Sequence, residues 1–108
     1  MNELLAVRSQ GTVPRDLECF QDHFPDFPVL PGVLALDLLR QLAEQHWKDR
    51  PARKLAGFKR VRFQHFLRPG DPWEGQTDLI SETRDEAVFS ARLKSGDKVA
   101  VTATLLFH

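Results

Sequence analysis

The sixteen residues DHFPDFPVLPGVLALD, from Asp22 to Asp37, hold three groups that could act together. His23 is an imidazole, able to take a proton near neutral pH. Asp37 is the only ionisable group in a run of Val, Leu and Ala, where desolvation would raise its pKa as a general acid requires. Between them Gly32 and Val33 open a helix with Leu30 and Pro31 before it, neither of which can cap the first amides. A base, bare amides at the positive end of a helix dipole and a protonated acid are the parts needed to remove a proton beside a carbonyl and expel a hydroxyl. Each group also has a plainer role. His23 could be structural, Asp37 could pair with Arg40 or accept backbone hydrogen bonds, and water or a loop carbonyl could meet the amides.

The elements that position these groups are stiff. Pro25, Pro28 and Pro31 recur at every third position. Each forces the residue before it away from helical angles, so the loop is extended up to the helix start. Gly32 to Lys48 reads as one helix, stopped before Pro51. Val33, Leu34, Ala35, Leu36, Leu38 and Leu39 cover every side of its first two turns, which predicts burial all round.

Beyond the helix the period becomes two. In FKRVRFQHFLR, Val61, Phe63 and Leu67 share one face and Arg60, Arg62, Gln64 and Arg68 the other. A Pro69–Gly70–Asp71 turn follows. Three more runs are predicted as strands: Trp73 to Thr83, one carrying Ala87, Phe89, Ala91 and Leu93 inward, and one with Val99, Val101, Ala103, Leu105 and Phe107 inward. ELLAVRS reads as a short strand ended by Gly11, with Thr12 to Phe20 extended at an edge or bend because of Pro14. The class is α+β, one domain over residues 1–108: a curved antiparallel sheet, its four later strands joined by tight turns, around one central helix.

Composition narrows the function. Fifteen Lys plus Arg balance fifteen Asp plus Glu, which argues against coating nucleic acid, since that needs surplus cations. Cys19 is the single cysteine, so neither an internal disulfide nor a cysteine-rich metal site is expected. His46, His65 and His108 lack metal-ligand spacing and are assigned structural roles, and Trp47 and Trp73 packing roles. With no leader-like start and no apolar run of about 18 residues, a cytoplasmic protein away from membranes is expected.

The run HFPDFPVLPGVLALDLLRQ resembles the signature of the 3-hydroxyacyl-[acyl-carrier-protein] dehydratases, the FabA and FabZ group with the hotdog fold. The matching positions are His23, Phe24, Pro25, Pro28, Pro31, Gly32, Asp37 and Gln41, and VRFQHFLRPGD resembles the family strand that ends in a Pro-Gly-Asp turn. The short length and the wording LPGVLALD are similar to the ApeI-like dehydratases of aryl-polyene clusters. The likeness is detailed from about position 18 to 72 and one of pattern beyond.

It implies dehydration of a 3-hydroxyacyl thioester to the trans-2-enoyl thioester, in fatty-acid or polyene-type biosynthesis. His23 would be the base, Asp37 the acid, and the amides of Gly32 and Val33 the carbonyl clamp. It implies no cofactor or metal, a substrate on the phosphopantetheine arm of an acyl carrier protein, and a homodimer whose site draws its histidine and its acid from different subunits. A higher oligomer, or a heteromer with another dehydratase, stays open. Tunnel walls are assigned to Phe24, Val29, Leu30, Leu34 and Phe63, and carrier docking to Arg60, Arg62 and Arg68. Asp22 stands where the family commonly has glycine, and Asp37 matches the FabA-type aspartate where FabZ-type enzymes carry glutamate. The alternatives are a hotdog thioesterase, which has no evident use for His23, or a non-catalytic acyl-binding scaffold.

Overall fold

The computed structural model describes residues 6–15 and 30–108. Strand β1 (Ala6–Thr12) is followed by helix α1 (Gly32–Glu44), which tightens into a single 3-10 turn at Gln45–Trp47. Then come β2 (Leu55–Phe63), β3 (Pro72–Glu82), β4 (Ala87–Ser95) and β5 (Lys98–Phe107). The five strands form one antiparallel sheet in the order β1-β3-β4-β5-β2, curved around α1 as the sequence predicts. The expected helix to Lys48 thus ends earlier in regular α form.

The inner layer follows from alternation in β4 and β5. Ala87 lies opposite Phe107, Phe89 opposite Leu105, Ala91 opposite Ala103 and Leu93 opposite Val101, and all eight are buried. The small pair Ala91–Ala103 lies between the larger pairs Phe89–Leu105 and Leu93–Val101. A register irregularity after Leu93 inserts one residue in β5, so Ala100 is buried and Val99, expected inward, is only half-buried. Leu39, Leu42 and Ala43 seat α1 on this layer. Gly75 of β3 is required there, because a Cβ would overlap the Leu42 side chain. At the far end Trp47 meets Phe89 and Phe107 edge-on, with centroids 5.9 and 5.8 Å away, confirming it as a packing residue.

Two expectations fail here, one of them in part. The four later strands are not joined in simple succession: β2 pairs with β5, at the opposite edge from β1, so the chain crosses the sheet to reach β3. The Pro69–Asp71 turn does form. Gly70 has φ 83°, the Asp71 amide donates to the Arg68 carbonyl at 3.0 Å, and the Arg68 amide donates to Asp71 Oδ2 at 2.8 Å. It serves a crossover, however, and not a hairpin.

The apolar face read for β2 holds only in part: Phe63 stays on the α1 side, opposite buried Val101 and against Gly32, while Val61 does not reach the core. The ladder shifts between Lys59 and Arg62, and Arg60 sits in the left-handed region at φ 54°, which costs a non-glycine residue about 1–2 kcal/mol. Regular alternation is lost there. The strand ends at Phe63, Val61 and Phe63 are exposed, and only Leu67 reaches the core.

Candidate active site

Helix α1 starts without a side-chain cap, as its sequence implies. Pro31 is the N-cap residue at φ −57° and ψ 142°, and its carbonyl accepts from the amides of Leu34 at 3.0 Å and Ala35 at 3.2 Å. The Gly32 and Val33 amides precede this ladder, and among the described residues no acceptor meets them. The Leu30 amide donates to the Leu67 carbonyl at 2.7 Å, fixing the helix start against the segment that leaves β2. Phe63 closes over Gly32: a Cβ there would lie 2.7 Å from the ring.

A largely apolar cleft of about 320 Å³ opens at this point. Leu30, Gly32 and Phe63 line it, three of the residues expected at the site. Val33 and Leu34 do not; they are exposed, at 71% and 41%. His23, Phe24 and Val29 lie outside the described residues.

Asp37 corrects the all-round burial predicted for α1. Ala35, Leu39, Leu42 and Ala43 form the buried stripe, while Val33, Leu34, Asp37, Arg40, Gln41 and Glu44 are exposed or half-buried. At about 100° per residue, Asp37 points roughly 140° away from Gly32, which is why one chain does not bring it to the cleft. Its side chain is 44% exposed. Gln41 Nε2 donates to Oδ2 at 2.8 Å and Arg40 Nε to Oδ1 at 2.8 Å. The Gln41 hydrogen bond first, then that of Arg40, hold the carboxyl below its ordinary range, against a smaller opposing effect of burial. The expected upward shift is thus reversed, and the plainer pairing with Arg40 is what forms. Arg40 Nη1 also reaches Glu44 Oε1 at 2.7 Å.

His65, Phe66, Gln64, Ala35 and Val101 also line the cleft, and the sequence alone does not mark them as site residues. A signal for His65 is present in the sequence: it lies between Phe63 and Leu67 at the same period, although its lack of metal-ligand spacing points to a structural role. Arg60, Arg62 and Arg68 are exposed, away from the cleft lining. Among the described residues no three His, Cys, Asp or Glu side chains are grouped to hold a metal ion. No helix there is long and apolar enough to cross a membrane.

A sheet curved around one helix, with a cleft at that helix's bare start, is the hotdog architecture. The fluoroacetyl-CoA thioesterase FlK superposes with a TM-score of 0.81 at 13% identity, covering 99% of this chain and 84% of that one. A chain of the dehydratase heterocomplex ApeI:P from Xenorhabdus doucetiae does so with a TM-score of 0.73 at 23% identity, covering 95% and 74%. These likenesses establish the fold. In sequence the chain is 34% identical over 94 residues to the 3-hydroxyacyl-[acyl-carrier-protein] dehydratase FabZ of Neisseria meningitidis serogroup C, over 81% of this chain. It spans 63% of that relative's length. The profile of the ApeI dehydratase family matches residues 2–103, so the chain belongs to the ApeI-like dehydratase family.

Proposed function

We propose that the protein dehydrates a 3-hydroxyacyl thioester, carried on an acyl carrier protein, to the trans-2-enoyl thioester, acting as a homodimer. The observation that carries this reading is the uncapped start of α1, where Gly32 borders an apolar cleft in a chain of dehydratase lineage. The thioester carbonyl would accept from the Gly32 and Val33 amides. His23 would take the proton from the carbon beside the carbonyl, and the electron pair would pass to the clamped oxygen. As the carbonyl re-forms, the carbon–oxygen bond to the 3-hydroxyl breaks, and Asp37 protonates the departing group to give water.

One chain lacks the conditions for the last step, because Asp37 is half-exposed and held as a carboxylate. Val33, Leu34, Val61, Phe63 and Phe66 are exposed apolar side chains. A second copy seated on Val33 and Leu34 would remove water from Asp37, bring the partner subunit's base opposite, and favour the protonated acid by desolvation. The expected tunnel walls Leu30 and Phe63, with the cleft behind them, would take the acyl chain, and the family likeness supports a carrier-borne substrate in the cytoplasm.

A defined 3-hydroxyacyl carrier thioester tests the reading. The conjugated enoyl product should form, and should be lost in Asp37→Asn and His23→Ala. Release of free thiol without enoyl product would hand the case to the thioesterase chemistry of the structural neighbour FlK. Binding without turnover would favour a scaffold.

A further inference from the structure

The outer face of the sheet, turned away from α1, carries a row of residues that alternation in separate strands does not reveal. Arg8 of β1 lies opposite Gln76 of β3, Gln76 opposite Arg92 of β4, Arg92 opposite Thr102 of β5 and Thr102 opposite Arg62 of β2. Directly opposed residues share a face, so one straight row crosses all five strands with arginine at every second strand. Strands lie about 4.8 Å apart, which spaces these arginines roughly 9.6 Å from one another and the whole row over about 19 Å.

The three guanidinium groups are exposed, and among the described residues none pairs with a carboxylate. Two acids, Asp78 and Glu74, share this face and keep their charge, against the four arginines Arg8, Arg60, Arg62 and Arg92 and the lysine Lys94. Gln76 Nε2 lies 3.0 and 2.9 Å from the two oxygens of Asp78, and Glu74 stands opposite Lys94. Arg60, turned by its left-handed backbone, lines the adjoining trough of about 390 Å³ with Ser90, Arg92, Thr102 and Thr104. A chain with no net charge therefore gathers unpaired cations on one face.

We infer that this row docks an acidic α-helix of a partner protein, lying across the strands with carboxylates two turns apart. Seven residues of helix rise about 10.5 Å, close to the arginine spacing, so acids at i, i+7 and i+14 would meet Arg8, Arg92 and Arg62 in turn. Arginine suits the task because its planar fork takes a carboxylate through two hydrogen bonds. Phosphates along a single nucleic-acid strand have no such match to the spacing, and the face carries no aromatic side chain in the row for bases to stack on. The inference does not depend on dehydration.

The test uses the full-length protein, labelled with nitrogen-15. The probe is an alanine-based helical peptide with glutamate at i, i+7 and i+14. A second peptide of the same composition has its glutamates at i, i+5 and i+12, off a common face. The first should shift the side-chain Nε resonances of Arg8, Arg62 and Arg92 and bind at least fivefold more tightly than the second. The R8Q/R62Q/R92Q variant, with an otherwise unchanged amide spectrum, should bind at least tenfold more weakly. Equal binding of the two peptides, no shift at millimolar peptide in low salt, or full binding by the triple variant would overturn the assignment. Stronger shifts of the same three resonances with a short oligothymidylate would overturn it in favour of nucleic acid.

Discussion

The two sides of α1 differ in whether one chain completes them. On the inner side Leu39 and Ala43 have no exposed surface and lie in the chain's own core. On the outer side, one turn nearer the start, Val33 and Leu34 face solvent and Asp37 is held by its own helix neighbours. The fold is therefore self-sufficient, whereas the proposed chemistry is not. Stability and activity should respond to different residues of one helix.

The largest separation is expected at Asp37. Asp37→Asn should lower turnover by about 10²–10⁴-fold, the usual worth of a general acid, while thermal unfolding shifts little. An enoyl-product assay beside a melting curve checks both, and a retained rate would remove Asp37 from the mechanism. On the inner side Leu39→Ala should cost about 2–5 kcal/mol in urea unfolding, since the sheet cannot collapse into the space left.

Gly32→Ala sharpens the boundary between the two sides. Its methyl would crowd a Phe63 ring that is half-exposed and free to swing, so unfolding should change by less than about 1 kcal/mol. The methyl also obstructs the amide, and turnover should fall about 10–100-fold, read as kcat/KM for the carrier thioester. Val33→Asp should leave the chain's own unfolding within about 0.5 kcal/mol and shift sedimentation from dimer to monomer. A dimer that persists would refute this face as the contact.

The smallest effect concerns pH. Arg40→Met should move the Asp37 carboxyl back up toward its ordinary value, followed by carbon-13 titration of that group. Because the folded-state pKa is depressed, the native pairing contributes stability above the unfolded-state pKa and loses it as pH falls through the folded value. Being partly exposed and screened, the contribution is small. The variant's acid limb should be slightly flatter.

The sequence makes the sheet's inner layer readable, because in β4 and β5 alternation and burial coincide from Ala87 to Leu93 and from Val101 to Phe107. It also marks the bare helix start, since Leu30 and Pro31 cannot cap. Three things escape it. The order of strands depends on pairing between Leu55 and Phe107, far apart in the chain, which local patterns do not encode. The exposure of Val61 depends on an irregularity at Arg60, a residue with no glycine-like permission for it. The apolar start of α1 reads as buried on all sides because composition records only that Val33 and Leu34 avoid water, not which molecule would cover them. His23, the base in the proposal, lies outside the described residues, so its partnership with Asp37 is tested by the paired variants.

The crossover between β2 and β3 has a kinetic consequence. Phe63 and Leu67 flank the cleft, yet among the described residues β2 has only β5 beside it in the sheet, and β5 follows β3 and β4 in the chain. A ribosome releasing this chain would finish the helix and the β3–β4 hairpin well before β2 found its neighbour. Such long-range pairing is slow to form. The cleft should therefore be among the last features to mature and, on partial unfolding from that edge, among the first to be lost.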